Sequence, residues 1–198
     1  MKNINLLITG VGGQGVILAS DIIGDSAITS GYDVKKTDTL GMAQRGGSVI
    51  SNIRIASKIW SPLIKKGEAD IMLAFEKLEA ARWAQYIRPQ GIAIVNNQAL
   101  PPLAVSIGAD KYPNDDEVGS ILKQRTDTVY FIDGRRRASE LGNIRTFNIF
   151  LLGCVSLLLP FKVSIWKASI EQRLPAGIRE INLHAFDQGR KEMRSTGL

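Results

Sequence analysis

Ile4-Asn5-Leu6-Leu7-Ile8-Thr9-Gly10-Val11-Gly12-Gly13-Gln14-Gly15-Val16 joins an apolar run of strand type to a glycine-dense turn, and a helical pattern then starts at once and runs towards Ser30. Gly10, Gly12 and Gly15 fit the spacing G-x-G-x-x-G, and Gly13 opens the loop further. Glycine carries no Cβ to hold an anion away from the backbone, and a helix start offers free N–H groups at the positive end of its dipole. The stretch specifies the opening strand–loop–helix unit of an α/β domain that can hold a phosphate or meet another backbone closely. A dinucleotide site also needs an acidic residue at the end of the second strand. That strand, read over Tyr32 to Thr37, ends in Lys35-Lys36-Thr37, with Asp33 too early and Asp38 in the following loop. On the residues alone three readings stay open: an anion site, a nicotinamide or flavin dinucleotide site, and a turn that only lets strand and helix pack tightly.

Working outward, strand-like and helix-like segments alternate. Gly31 to Lys36 reads as a short second strand, Thr37 to Gly47 as a loop, and Ser48 to Ala56 as a strand that is half exposed or near an edge, with Val49, Ile53 and Ile55 on one face. Ala69 to Phe75 is an apolar run broken only by Asp70, as in a central parallel strand, and Glu76 to Ile87 reads as helix. Ile92 to Val95 is a further strand, Gln98 to Asn114 is irregular with a short strand near Val105, Asp115 caps a helix reaching about Arg125, and Thr128 to Ile132 is the last strand. Helical patterns then cover 135–142, 143–159, 164–174 and 176–194, the last with Ile178, Ile181, Ala185 and Phe186 on one face. This order predicts an α/β, three-layer αβα Rossmann-like sandwich with a mostly parallel sheet and C-terminal helices. It reads as a single domain over 1–198, with a core over 1–160 and a helical extension over 161–198.

Composition narrows the function. Apolar residues form 44% of the 198, enough for a core, and the one long apolar run, 149–161, contains Gly153, Ser156 and Pro160, which suits a buried helix better than a membrane span. The chain opens directly into a strand pattern without a signal-peptide layout, which points to the cytoplasm. The single cysteine, Cys154, excludes an internal disulfide and any cluster held by this chain's thiolates alone. The net charge of +6 is carried by scattered pairs such as Lys35-Lys36 and Lys65-Lys66 and by the triplet Arg135-Arg136-Arg137, none interleaved with aromatics. That pattern suits a solvated face or a surface meeting an acidic partner subunit, and neither nucleic acid nor membrane is expected as a partner.

A second unusual segment is Gly41-Met42-Ala43-Gln44-Arg45-Gly46-Gly47-Ser48. Two glycines behind an arginine bend the backbone sharply while the guanidinium points at a planar or anionic group, so Gln44, Arg45, Gly46 and Gly47 are candidates for substrate or interface contact. The loop belongs on the same carboxyl edge of the sheet as the first glycine turn. Glu76, just past a buried strand, and Asn143 and Asn148, at a helix start beside Arg145, are further candidates; Glu76 and Asn143 also suit plain capping roles. His184, the sole histidine, sits in the last amphipathic helix, where a surface or packing role is expected. No Ser/His/Asp set, metal-ligand cluster, P-loop or thiamine diphosphate motif occurs, so no catalytic or metal-binding residue is assigned.

At Gly10-Val-Gly-Gly-Gln-Gly15-Val-Ile, Gly41-Met-Ala-Gln-Arg-Gly-Gly-Ser-Val49, Ala69-Asp70 through Phe75-Glu76 and Leu78-Glu79-Ala80, and Leu141-Gly142-Asn143 with Asn148, the chain resembles the γ-type domain of the 2-oxoacid:ferredoxin oxidoreductases. The Gly-Met-Ala-Gln-Arg-Gly-Gly form is most similar to the indolepyruvate:ferredoxin oxidoreductase β subunits. The matching motifs run in order from residue 1 to about 155. The resemblance implies a non-catalytic subunit of a hetero-oligomer. In that family a large partner carries thiamine diphosphate, Mg and [4Fe-4S] clusters, an arylpyruvate is oxidatively decarboxylated, ferredoxin takes the electrons, and coenzyme A takes the acyl group. It implies that this chain holds no cofactor by itself, and that Gly10, Gly12, Gly13, Gln14 and Gly15 form a phosphate-binding or partner-facing loop. The alternatives are a γ subunit for pyruvate, 2-oxoglutarate or 2-oxoisovalerate, and a stand-alone nucleotide-binding module.

Overall fold

The computed structural model describes residues 3–40 and 47–197. β1 (Ile4–Val11) leads through the glycine turn into α1 (Val16–Thr29), followed by β2 (Asp33–Leu40) and β3 (Ser48–Ala56). Next come β4 (Ala69–Ala74), α2 (Lys77–Trp83), β5 (Ile87–Asn96), the single-turn α3 (Leu103–Ser106), α4 (Asp115–Lys123) and β6 (Thr128–Ile132). α5 (Gly134–Glu140), α6 (Phe147–Val155), α7 (Val163–Arg173) and α8 (Arg179–Ser195) complete the order.

The six strands form one sheet in the order β2-β3-β1-β4-β5-β6. β1, β4, β5 and β6 run parallel, and β3 is antiparallel to both its neighbours. Successive side chains of a strand face opposite sides, so β1 sends Leu6 and Ile8 into one core and Leu7 into the other. α1 and α6 cover the first side, with α7 and α8 packed on them, and α2 and α4 cover the second, which gives the expected three-layer α/β sandwich. Trp166, Ile170, Phe186 and Met193 are fully buried, which joins the last two helices to the first core. No helix among the described residues is long and apolar enough to cross a membrane.

The structure corrects several boundaries. β2 continues to Leu40 where a loop was expected from Thr37. Its charged residues are held by each other and by partners on α1 and β3. The Lys36 ammonium meets Asp21 of α1, Asp38 at 2.9 Å and Ser20 Oγ at 3.1 Å, and Ser51 Oγ of β3 donates to Asp38 at 2.6 Å. β3 lies next to the edge strand β2, and Val49 to Ile53 of β3 are buried rather than half exposed. β5 begins at Ile87, with a register shift between the Ala69–Ile87 and Ile71–Ile92 pairs that absorbs Arg88-Pro89-Gln90-Gly91. Val105 lies in α3 rather than a strand. Asn114, not Asp115, caps α4, in a reciprocal capping box with Glu117. The helix expected over 143–159 is a 3₁₀ turn at 144–146 followed by α6. The inward face of α8 is Asn182, Ala185, Phe186, Gly189 and Met193, while Ile178 is 40% exposed, because the helix axis starts only at Arg179.

Candidate functional site

The glycine turn sits at the carboxyl edge of the parallel strands, and two amide side chains tie that edge together. Gln14 accepts the Val11 N–H on Oε1 at 2.7 Å and donates from Nε2 to the Phe75 carbonyl at 3.0 Å. Asn96 donates to the same carbonyl at 3.1 Å and accepts the Gly134 N–H at 3.0 Å. The ends of β1, β4 and β5 and the start of α5 therefore share one hydrogen-bonded frame. Gly10 is packed so closely that a Cβ would lie 2.8 Å from Gln14 Oε1 and 2.9 Å from both Phe75 Cβ and Val16 Cγ2. Any side chain at residue 10 would break the Gln14 bridge.

Gly15 precedes α1 in the left-handed region, at φ 82°, and no side chain caps the helix. A Cβ at Gly15 would be driven closer than 3.0 Å to the Asn148 amide nitrogen. Asn148 is only 6% exposed. Its Oδ1 accepts the Ile149 N–H at 2.8 Å, and its Nδ2 has no partner among the described residues. Beside this contact opens a cleft of about 320 Å³ lined by Gly13, Gln14, Gly15, Arg135, Ile144, Arg145, Phe147 and Asn148. Arg136 and Arg137 pair with Asp133, Glu140 and Glu192, whereas Arg135 and Arg145 pair with no carboxylate among the described residues. The cleft thus combines an uncapped helix start, a free amide donor and two uncommitted guanidiniums, all of which favour an anion. Phe147 and Ile144 add an apolar wall, and Phe147 packs edge-on against Phe75 with ring centroids 5.8 Å apart.

The remaining candidates divide. Gln44, Arg45 and Gly46 lie outside the described residues. Gly47 stands at the foot of that loop, where its carbonyl accepts the Gly12 N–H at 2.9 Å, and the Val11–Ser48 and Leu40–Val49 pairs put both ends of the loop on the carboxyl edge. Glu76 does not reach the cleft. It is 1% exposed and accepts the Glu79 N–H at 2.9 Å, the Leu100 N–H at 3.0 Å and the Tyr112 hydroxyl. Its carboxylate caps α2 and pins the 98–112 segment. Asn143 accepts the Arg145 N–H at 3.0 Å and caps the 3₁₀ turn that presents Arg145. His184 is exposed beside Gln188. Cys154 is buried, donates to the Gly189 carbonyl at 3.3 Å, and has its thiol pushed well above its ordinary range by that burial.

Sequence reasoning did not single out Arg135, Asn96 or Glu79. Arg135 is hidden inside a basic triplet whose other two members are ion-paired. Asn96 reads as a turn residue, yet it bridges two strands and α5. Glu79 is 2% exposed, accepts from Ser48 at the root of β3 and pairs with Arg82 at 2.7 Å, and only its place in the Leu78-Glu79-Ala80 motif marked it.

A dinucleotide reading needs the second strand beside the first, so that its acidic end meets the ribose. Here β3 occupies that place, and β2 stands two strand spacings from β1, roughly 10 Å away. Asp38, the one acid near the end of β2, is paired with Lys36.

The protein family described as "Pyruvate ferredoxin/flavodoxin oxidoreductase" matches residues 5–192. The chain belongs to this family. It is 36% identical to the indolepyruvate oxidoreductase subunit IorB of Thermococcus kodakarensis, over 96% of each chain. It is 34% identical to the protein of the same name from Pyrococcus horikoshii, again over 96% of each. Of the solved structures, the 2-oxoglutarate:ferredoxin oxidoreductase of Magnetococcus marinus, crystallised with 2-oxoglutarate, coenzyme A and succinyl-CoA, superposes with a TM-score of 0.77 at 21% identity. The match covers 98% of this chain and 32% of that one, so the whole fold of this family member corresponds to about a third of a longer polypeptide.

Proposed function

We propose that this chain is the small subunit of an indolepyruvate:ferredoxin oxidoreductase in the cytoplasm, and that its glycine-loop cleft receives a phosphate of coenzyme A. Similarity at 34–36% identity to two IorB subunits over 96% of the chain carries the subunit assignment. The side chains support a division of labour. One buried cysteine cannot hold a [4Fe-4S] cluster, and no group of three or more potential metal ligands gathers among the described residues. On this reading thiamine diphosphate, its Mg ion and the clusters are held by a large partner subunit, where bound thiamine diphosphate supplies the chemistry that releases CO₂ from the arylpyruvate.

In the balanced reaction, an arylpyruvate, coenzyme A and two oxidised ferredoxins give an aryl-acyl-CoA, CO₂, two reduced ferredoxins and the thiol proton. This chain's contribution is to hold the nucleotide end of coenzyme A. Arg135 and Arg145 bring charge to the phosphate, the first-turn N–H groups of α1 and the Asn148 amide donate to its oxygens, and the Gln14–Phe75–Asn96 frame keeps them in place. Each charge-assisted hydrogen bond of this kind contributes about 1.5–3 kcal/mol, which is about ten- to a hundredfold in affinity. In the assembled enzyme, Arg145→Ala is expected to raise the KM for coenzyme A about tenfold or more, with the KM for indolepyruvate unchanged. An unchanged KM for coenzyme A would refute the cleft assignment. Assembly and arylpyruvate-dependent viologen reduction that do not depend on adding this chain would refute the subunit assignment.

A further inference from the structure

Residues 57–66 cross the amino edge of the sheet, opposite the cleft. The Ile4–Ile55 pair sets the end of β3 beside the start of β1, so the segment lies one strand length, roughly 25 Å, from the glycine turn. It has no regular secondary structure, yet it is firmly tied. Ile59 and Ile64 are buried at 7% and 5% exposure. The Ile59 N–H donates to Asp33 at 2.7 Å, and Arg54 Nη1 donates to the carbonyls of Ser61 at 3.2 Å and Leu63 at 3.4 Å. Between these anchors the two largest side chains face outward: Trp60 is 83% exposed and Leu63 62%. A turn that buries two isoleucines and presents an indole holds that indole for contact elsewhere.

Charge surrounds the indole. The Lys58 ammonium stands 4.4 Å from the centre of the Trp60 ring, and Lys65 and Lys66 follow Ile64 on the exposed side. The lysines that form ion pairs among the described residues are Lys35, Lys36, Lys77 and Lys167, so Lys58, Lys65 and Lys66 keep their charge uncompensated. The nearby acids are Asp33, bonded to the Ile59 N–H, and Glu68, which accepts the Lys65 backbone N–H at 3.4 Å.

We infer that residues 57–66 form a preformed docking surface for an acidic protein face on the large subunit of the same enzyme, with Trp60 as anchor and Lys58, Lys65 and Lys66 as its charged rim. The inference rests on the subunit reading and extends it to an edge of the sheet remote from the ligand cleft. An aromatic anchor within a polar rim is the common anatomy of a protein interface, and a fixed anchor loses little entropy on binding. Three lysines fall short of the four to eight basic residues of a lipid-binding patch, and one tryptophan offers no base-stacking series.

The test is co-expression of the large subunit with wild-type chain, with Trp60→Ala, and with the triple variant Lys58→Glu/Lys65→Glu/Lys66→Glu. Affinity of the purified pairs is read by titration at about 50 and about 500 mM salt. Leu63→Ser serves as a second apolar variant and Lys123→Glu, on the exposed side of α4, as a control. All six side chains are exposed, so circular dichroism should remain that of the wild type. Trp60→Ala is expected to weaken binding about tenfold, and the triple variant at least as much with its salt dependence flattened. Unchanged affinity in both would overturn the inference and leave the subunit reading intact. Failure of the wild-type chain to bind the large subunit would overturn both. Self-association of the wild-type chain that Trp60→Ala abolishes would show that a second copy covers this edge, and would equally overturn it.

Discussion

Replacing Gly15 by alanine tests the close approach on which the cleft depends. Two costs add. The residue sits at φ 82°, a left-handed conformation that costs a non-glycine residue about 1–2 kcal/mol. The new methyl must also displace the Asn148 amide. Moving Asn148 breaks its Oδ1 bond to the Ile149 N–H, worth about 1 kcal/mol, and forces an off-rotamer side chain at about another 1 kcal/mol. Gly15→Ala should therefore destabilise the chain by about 3 kcal/mol, or about 6–12 °C in Tm for a chain of this size. In an Asn148→Ala background the second cost disappears and about 1 kcal/mol of backbone strain remains. The assay is a double-mutant cycle by urea unfolding, followed by far-ultraviolet circular dichroism, on the four proteins. A coupling energy of about 2 kcal/mol is expected between the two sites. Additivity within about 0.5 kcal/mol would refute the claim that the glycine is there to admit Asn148.

Three further outcomes are expected. Glu76→Gln keeps an acceptor for Leu100 and Tyr112 but turns an amide donor towards the Glu79 N–H, so stability should fall by about 2 kcal/mol and hydrogen exchange over 98–112 should quicken, while unchanged exchange would remove the pinning role. Burial first, and then the hydrogen bond to Glu76, raises the Tyr112 phenol well above its ordinary 10.0; the folded state favours the neutral phenol, so its contribution is complete below pH 10 and is lost as pH climbs beyond it. Stability measured above pH 10 should decline less steeply in Tyr112→Phe than in wild type, and identical slopes would contradict this. Cys154, buried and with its thiol pushed up, should resist a thiol reagent until the chain unfolds; labelling at the rate of a free thiol under native conditions would show that α6 and α8 separate readily.

How far the chain could be read depended on whether meaning resided in one segment or in several. The first unit was legible because apolar run, glycine turn and helix are contiguous, and β4 was legible because Ile71 to Ala74 are uniformly apolar. β2 was cut short because its stability comes from Ser20 and Asp21 of α1 and Ser51 of β3, residues that no local window includes. The same reason hid Arg135. Its significance is that Arg136 and Arg137 have carboxylate partners and it has none among the described residues, and pairing is settled only when α5, α6 and α8 meet. Gln14 was read as part of a phosphate-binding or partner-facing loop; its amide is engaged with Val11 and Phe75, so it shapes that loop from within. Glu76 shows the reverse case: a carboxylate at the position where α/β proteins often place chemistry is enclosed by Leu100 and Tyr112, which arrive from a segment whose conformation the sequence left irregular.

The antiparallel strand beside β1 sets a boundary on what this scaffold can become. Introducing an acid at Thr37 or Thr39 would not create a grip for an adenosine ribose, because those positions belong to a strand held away by the width of another. Acquiring nicotinamide chemistry here would demand rethreading of the chain rather than substitution. On the function proposed above, a γ-type unit of this design recognises the phosphate end of a ligand, and the identity of the rest is left to whatever chain closes over it.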